Sequence, residues 1–321
     1  MSKADGDADR PSARRRTVFE LSDADRELRL DQFVARVLGV GRKRARELCD
    51  RGDVRIDGRL ASKGAFLHEA VTVDVAEQAG ESPIAEPELA LDLRLELAEL
   101  VVVCKPAGMP TVPLAAGERG TLAGALVARY PEMRGFGYRA REPGVVHRLD
   151  TLTSGLVVAA RTAPAFDALV LALKQGELKK RYLAVVPGVG LPEAGSIDLP
   201  LAPDPRDSTR VRIVDIGAAY ARPALTYFRV LERGAGLALL ELDAGPAFRH
   251  QIRAHLAASG FPIVGDEPYG GVIHPRLPGR HALHASYVAW AGDASRNFEV
   301  SSEAPAEFRA LLEGGRDSSD S

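Results

Sequence analysis

Cysteine is scarce in this chain of 321 residues: Cys49 and Cys104 are the only two. Two thiols cannot make the multi-bridge framework of a small secreted domain, and they lack metal-ligand spacing. Long apolar runs are missing too, since no segment approaches the roughly 18 residues a membrane span needs. The opening "MSKADGDADRPSARRR" has basic residues but no apolar stretch behind them, so it does not read as a signal peptide. A charge excess is also lacking: the formal net charge is −2, so any surface for a polyanion must be local. These absences favour a reduced, cytoplasmic setting with no membrane partner.

Regular strand–helix alternation is absent as well, and there is no internal repeat. What is present has two textures. Leu30, Phe33, Val34, Val37 and Leu38 recur at i, i+3, i+4, i+7 and i+8, which predicts a helix with one apolar stripe. "RKRARELCDRG" predicts a second helix, with Ala45, Leu48 and Cys49 inward and Arg42, Lys43, Arg44, Arg46 and Arg51 outward. "DVRIDG" alternates as a strand and turns at Asp57-Gly58; "AVTVDV" alternates again. Between 36 and 63, nine Lys/Arg stand against four Asp/Glu, a local excess of five. Such a run is commonly just a solvated helix face, but beside a hairpin it is also a compact grip for phosphates.

The aperiodic, Pro- and acid-rich "SPIAEPELAL" predicts a linker over 78–90. It separates a small α/β unit at 17–77 from a large unit at 91–302. Residues 1–16 read as a disordered tail, and 303–321 as a helix end followed by another. In the large unit "ELVVVCKPAGMP" is a strand and turn, and "RYLAVVPG", "TYFRVLERG" and "LALLELDAG" are strands. "TAPAFDALVLALKQG" is a helix capped by Thr162, with Phe166, Leu169, Val170 and Leu173 on one face. "RHQIRAHLAASG" is a helix ended by Gly260. This order predicts an α+β fold with a mixed, largely antiparallel sheet flanked by helices, not a doubly wound dinucleotide fold.

One stretch conflicts with its surroundings. "GVVHRLDTLTSGLVVAA" places His147, Arg148 and Asp150 between two apolar strand-like segments. Burial drives a carboxylate toward its neutral form unless a cation and hydrogen bonds hold it charged. Arg148 is two residues away, and Thr151, Thr153 and Ser154 bring hydroxyls; the plain alternative is an Arg–Asp pair in a polar turn. Two other segments carry candidate polar groups: Tyr182 in "KKRYLAVV", and Arg249, His250, Gln251 and Arg253 grouped on one short helix in "FRHQIRAHL". Singly, Tyr182 reads as a core aromatic and Arg253 as a surface cation.

Together and in this order, "VVVCKPAGMP", "HRLDTLTSGLVVAAR", "KRYLAVVPG", "HQIRAHLAASGFPIVGDEPYGG" and "RHALHASYVAW" resemble an RluA-type pseudouridine synthase. In front, "RLDQFVARV", "GRKRARELCDRGDVRIDGR" and "AVTVDV" resemble the S-four-like RNA-binding domain. The resemblance implies an isomerase that converts uridine in RNA to pseudouridine, without metal or organic cofactor. Asp150 would be the nucleophile, attacking C1′ or C6 or assisting glycal formation, and Arg253 its salt-bridge partner. Tyr182 would stack on the uracil and help remove the C5 proton, directly or through its hydroxyl. Arg148 would wedge into the place of the flipped nucleotide, with His147 supporting it or packing behind it. Arg42, Lys43, Arg44 and Arg46 would meet RNA. Lys105, Lys179, Lys180 and Arg181 are weaker phosphate candidates, with solvated surface as the cautious reading. The implied target is large-subunit ribosomal RNA first and transfer RNA second, and the implied state is a monomer. This chain departs from the usual Gly-Arg-x-His-Gln-Ile-Arg, reading "GPAFRHQIR", and has Thr151 where Lys is common; the upstream arginine's role does not carry over to Arg249.

Other classes fit less well. An RNA-binding protein with a silent catalytic unit conflicts with intact Asp150, Tyr182 and Arg253. "HRLD" is also found in kinase-like loops, but no Gly-rich loop or Asp-Phe-Gly accompanies it. A metal hydrolase would draw on His250, His255, His274, His281 and His284, yet 250 and 255 are five apart, off the spacing that shares one helix face.

Overall fold

The computed structural model describes residues 16–37, 42–76, 82–115, 117–207, 209–218, 220–245, 248–292 and 296–313. Of the expected tail at 1–16, residues 1–15 lie outside the described residues and Arg16 is instead a strand residue; 314–321 also lie outside them. The chain forms two compact units. One comprises residues up to Ser82 with Ala115–Gly117 and Tyr138–Arg141, the other the remainder from Pro83.

The small unit runs β1 (Arg16–Glu20), α1 (Leu30–Val37), α2 (Arg42–Asp50), β2 (Val54–Ile56), β3 (Arg59–Leu60) and β4 (Thr72–Ala76). Its antiparallel sheet has the order β1-β4-β2-β3. Leu30, Phe33 and Val34 from α1 meet Ala45, Leu48 and Cys49 from α2 over Val54, Val73 and Val75. The apolar stripe therefore does what its period required. The hairpin turns through Asp57 and Gly58, both left-handed at φ 45° and 75°, the pairing a tight two-residue turn demands. Asp57 also accepts a hydrogen bond from the Thr72 amide at 2.8 Å.

The large unit continues with β5 (Asp92–Glu96), β6 (Leu100–Lys105), α3 (Leu122–Arg129), β7 (Ser154–Ala160), α4 (Ala163–Gln175) and β8 (Lys179–Pro187). Next come β9 (Ala194–Asp198), β10 (Leu201–Pro203), β11 (Val211–Ile213), β12 (Leu225–Gly234) and β13 (Leu237–Asp243). It closes with α5 (Gln251–Ala258), β14 (Leu283–Trp290), β15 (Phe298–Ser301) and α6 (Ala306–Glu313). The main sheet has the order β5-β6-β7-β14-β8-β13-β12-β9, with β15 on β14. Its pairings are antiparallel except β7 with β14.

The continuous apolar runs of β6 and β7 come from burial on both faces. Val101, Val103, Val157 and Ala159 enter one core layer; Leu100, Val102, Leu156, Val158 and Ala160 enter the other, against Phe166 and Leu169 of α4. Alternation assigns each residue its face. Two boundaries differ from expectation. Residues 83–90, read as the end of a linker, belong to the large unit, where buried Glu86 accepts from the Gly120 amide at 2.8 Å. At the other end the expected helix is present as α6, but it belongs to the large unit instead of following it: Phe308, Leu311 and Leu312 are core residues of that unit.

Candidate active site

Asp150 sits in the loop that returns the chain from Gly144–Val146 to β7. Only Val145 forms a bridge there, to Ala159, while the amides of Val146 and Ala160 bond across to the carbonyls of Val158 and Gly144. Of the two strands expected around Asp150, the first is thus reduced to this single bridge. Gly155, second in β7, has φ 117°, where a Cβ would lie 2.2 Å from the Ala285 carbonyl. A side chain at that position would push β14 away, so the glycine sets the register of the strand pair under the loop.

The loop is tied down by groups that carry no charge outward. The Thr111 hydroxyl donates to the Leu149 carbonyl at 2.7 Å and accepts from the Leu149 amide at 3.1 Å. Lys105, considered above for phosphate contact, is instead wholly buried, and its ammonium donates to the carbonyls of Pro106, Met109 and Thr151. Burial pulls its pKa down to about 7, against the opposing pull of Asp150. Thr153 Oγ1 lies 2.8 Å from His281 Nε2, and Ser154 Oγ 2.8 Å from His284 Nδ1. Burial lowers both imidazoles to about 4, so they serve as neutral supports.

The structure brings Asp150 and Arg253 together. Arg253 Nη1 donates to Asp150 Oδ2 at 2.9 Å, with Asp150 27% exposed and the guanidinium 8% exposed. The same guanidinium uses Nε and Nη2 to grip both oxygens of fully buried Asp266, at 2.7 and 2.6 Å. That fork is the strong, geometrically fixed form of the pair. Asp266 is a site residue that sequence reasoning left without a role, although its motif "GDEPYG" had been noted. α5 begins at Gln251, so Arg249 and His250 precede the helix instead of riding on it. Gln251 anchors that start: it accepts from the Phe248 amide and donates to the Leu225 carbonyl, both at 2.9 Å.

Tyr182 lies in mid-strand on β8, buried and opposite Leu242 and Ala285. Burial first, then the carboxylates of Asp150 and Asp243, push its phenol well above the usual range. It is a neutral phenol at physiological pH, which disfavours direct action as a phenolate base. Arg148 does not pair with Asp150; its Nη1 meets buried Glu142 at 2.8 Å while the side chain stays half-exposed. Glu142 carried no sequence signal. His147 turns inward, where Nε2 accepts from the Val158 amide at 3.2 Å. Burial holds it near 3, so it is a packing group behind the loop. Lys180 is buried and lowered to about 8 chiefly by desolvation, while Lys179 is exposed. Arg181 is tied to Glu241 at 3.2 Å and lies over the Tyr287 ring.

In the small unit Arg42 and Arg46 are exposed, and Arg46 Nε donates to buried Asp31 at 2.8 Å. The side chains of Lys43 and Arg44 lie outside the described residues. His255 is a satisfied core group between Thr226 Oγ1 and the Leu199 carbonyl, both at 2.9 Å. Among the described residues no cluster of three His, Cys, Asp or Glu could hold a metal. A cavity of about 770 Å³, lined by Lys105, Ser154, Arg280, His284 and Ser302 among others, is separate from Asp150, Tyr182 and Arg253.

A partly exposed carboxylate gripped by a buried guanidinium, with a buried tyrosine that feels its charge, is an arrangement suited to nucleophilic or acid–base chemistry. The comparisons give the chemistry. The family model for RNA pseudouridylate synthase matches residues 99–258. An uncharacterized RNA pseudouridine synthase of Chloroflexus aurantiacus is 36% identical over 88% of this chain and 89% of its own length. The ribosomal large subunit pseudouridine synthase D of Xanthomonas campestris is 33% identical over 96% of this chain and 94% of its own. A human structure, RNA pseudouridylate synthase domain containing 1, aligns with a TM-score of 0.53 at 26% identity, covering 67% of this chain and 83% of that one. The chain belongs to the RNA pseudouridine synthases, isomerases acting on RNA.

Proposed function

We propose that this chain is an RluA-type synthase that isomerises a uridine of large-subunit ribosomal RNA with Asp150 as nucleophile. The observation that carries the reading is the 2.9 Å contact between Asp150 and an Arg253 already fixed by Asp266. A guanidinium locked on one side cannot follow the carboxylate, so it holds Asp150 by one oxygen and fixes the direction in which the carboxylate points. The N1–C1′ bond breaks, the uracil turns in place, and C5 bonds to C1′. C5 loses a proton and N1 gains one, so the reaction is an isomerisation.

Tyr182 stacks on the base, an interaction worth roughly 1–3 kcal/mol, and as a neutral phenol it passes the C5 proton through its hydroxyl. Arg148, its guanidinium Nη1 held by Glu142 at 2.8 Å, occupies the stack position left by the flipped uridine. The small unit acts as an S-four-like RNA-binding domain, with the outward cations of α2 on phosphates. The target class is supported by the name of the Xanthomonas relative. The protein works as a cytoplasmic monomer.

Tritium release from [5-³H]uridine-labelled RNA tests this. Wild-type protein is expected to release tritium from large-subunit ribosomal RNA, and Asp150→Ala to release none above background while still binding RNA. Full release by D150A overturns the nucleophile; release only from transfer RNA moves the target; binding without release from any RNA overturns the enzymatic reading.

A further inference from the structure

We infer that His250 is a positioning residue for the reaction: its Nε2–H holds the Asp150 oxygen that Arg253 leaves free, and Tyr269 fixes the tautomer that makes this possible. His250 Nε2 lies 3.5 Å from Asp150 Oδ1, and its Nδ1 lies 3.0 Å from the Tyr269 hydroxyl. A carboxylate oxygen only accepts, so the proton of a neutral ring belongs on Nε2. Nδ1 must then accept, and the single Tyr269 hydroxyl proton goes to it at 3.0 Å in preference to the Val211 carbonyl at 3.3 Å. That hydroxyl is itself pinned by the Val211 amide, which donates to it at 3.0 Å.

Two further observations point the same way. His250 holds a left-handed backbone at φ 56°, an uncommon conformation for a non-glycine residue that is retained where the surroundings enforce it. Burial first, then Arg253 and Arg249 against the carboxylates of Asp150 and Asp266, lowers its pKa and keeps the ring neutral. The motif "GDEPYG" thereby gains a joint purpose. Asp266 fixes Arg253 on one Asp150 oxygen, and Tyr269, three residues on, fixes His250 on the other. The Tyr269 ring also lies under the Arg253 guanidinium at 4.9 Å. A 3.5 Å separation is long for a hydrogen bond, but catalytic hydrogen bonds are commonly long before substrate binds and tighten in the complex.

The inference rests on Asp150 as the attacking group, which D150A tests separately. Its own test has two arms. In full-length protein labelled with ¹⁵N-histidine, the His250 resonances are expected to show a protonated Nε2 and an unprotonated Nδ1 at neutral pH; the opposite tautomer overturns the inference. In single-turnover tritium release, His250→Phe keeps a ring but loses the donor. A hydrogen bond to a charged group sets the expected loss at about 10- to 100-fold in rate, with RNA affinity unchanged. His250→Gln restores a donor at a similar reach and is expected to recover at least half of that loss on a logarithmic scale. H250F turning over like wild type, or H250Q falling as far as H250F, overturns the inference. If H250F does not fold, the tautomer of the wild-type ring decides alone.

Discussion

A set of ion pairs in the small unit and the Asp150–Arg253 pair of the large unit face opposite ways. In three pairs of the small unit the carboxylate is inside and the guanidinium outside: Asp31 is fully buried while its partner Arg46 is 48% exposed. Arg51 with Asp53 and Arg36 with Asp25 repeat the pattern. At the candidate active site Arg253 is the buried member and Asp150 the accessible one. The same two residue types thus present a cation in one place and an anion in the other. Which is presented depends on which partner is supplied twice. Asp31 accepts from both Arg29 and Arg46, so an acid is the centre of that cluster. Arg253 donates to both Asp266 and Asp150, so there the base is the centre. Arg148, half-exposed on buried Glu142, shows the same polarity inside the large unit.

The sharpest way to break this comparison is to remove the second acid. Asp266→Ala leaves Nε and Nη2 of Arg253 buried without their partner, and breaking a buried pair costs about 3–5 kcal/mol. Urea unfolding is expected to show that loss, and tritium release to fall with it. Arg253 would then be free to follow Asp150 instead of holding it. A variant as stable and active as wild type would mean that Asp150 alone positions the guanidinium.

Much of this was legible in the sequence, and the reason is local. The helix stripe of Leu30, Phe33 and Val34, the Asp57-Gly58 turn, the Thr162 cap and the apolar runs of β6 and β7 depend on near neighbours and a fixed period. Asp150 stood out as a carboxylate in an apolar setting, whereas Tyr182 and Arg253, singly a core aromatic and a surface cation, became candidates only through the family resemblance. What was not legible depends on distant pairing. Nothing near Arg148 distinguishes Glu142 from Asp150 as its partner, and nothing near Lys105 says that its ammonium is enclosed by carbonyls from two loops. Residues 83–90 lack periodicity, yet Glu86 is held by an amide 34 positions on. His250 looked like part of a helix because a left-handed residue at an N-terminus leaves no mark on hydrophobic spacing.

A middle-sized effect comes from histidines that only the large unit buries. His147 is held near 3 and His281 and His284 near 4, in each case first by burial, whereas His68 of the small unit is exposed. Their folded pKa values lie below the ordinary value of about 6.5. As pH falls from about 6.5 toward 4 the unfolded chain takes up protons that the folded unit refuses. Stability is therefore complete above 6.5 and declines by about 1.4 kcal/mol per pH unit for each such histidine. His284→Gln is expected to remove one histidine's share of that slope in urea titrations at pH 7, 6 and 5. An unchanged slope would mean that His284 is charged in the folded state.

The smallest expected effect tests the small unit's polarity directly. Arg42 is exposed on α2, so Arg42→Gln should leave stability within about 0.5 kcal/mol. It removes one outward cation, and RNA affinity measured between 50 and 200 mM salt is expected to lose about 0.7–0.9 from its logarithmic slope. Arg46→Gln is the informative contrast. It removes a similar cation but also strips one of two guanidiniums from buried Asp31, so it should weaken RNA binding and folding together. If R42Q binds RNA with an unchanged salt slope while R46Q only unfolds, the outward arginines of this unit serve their buried acids and not a phosphate backbone.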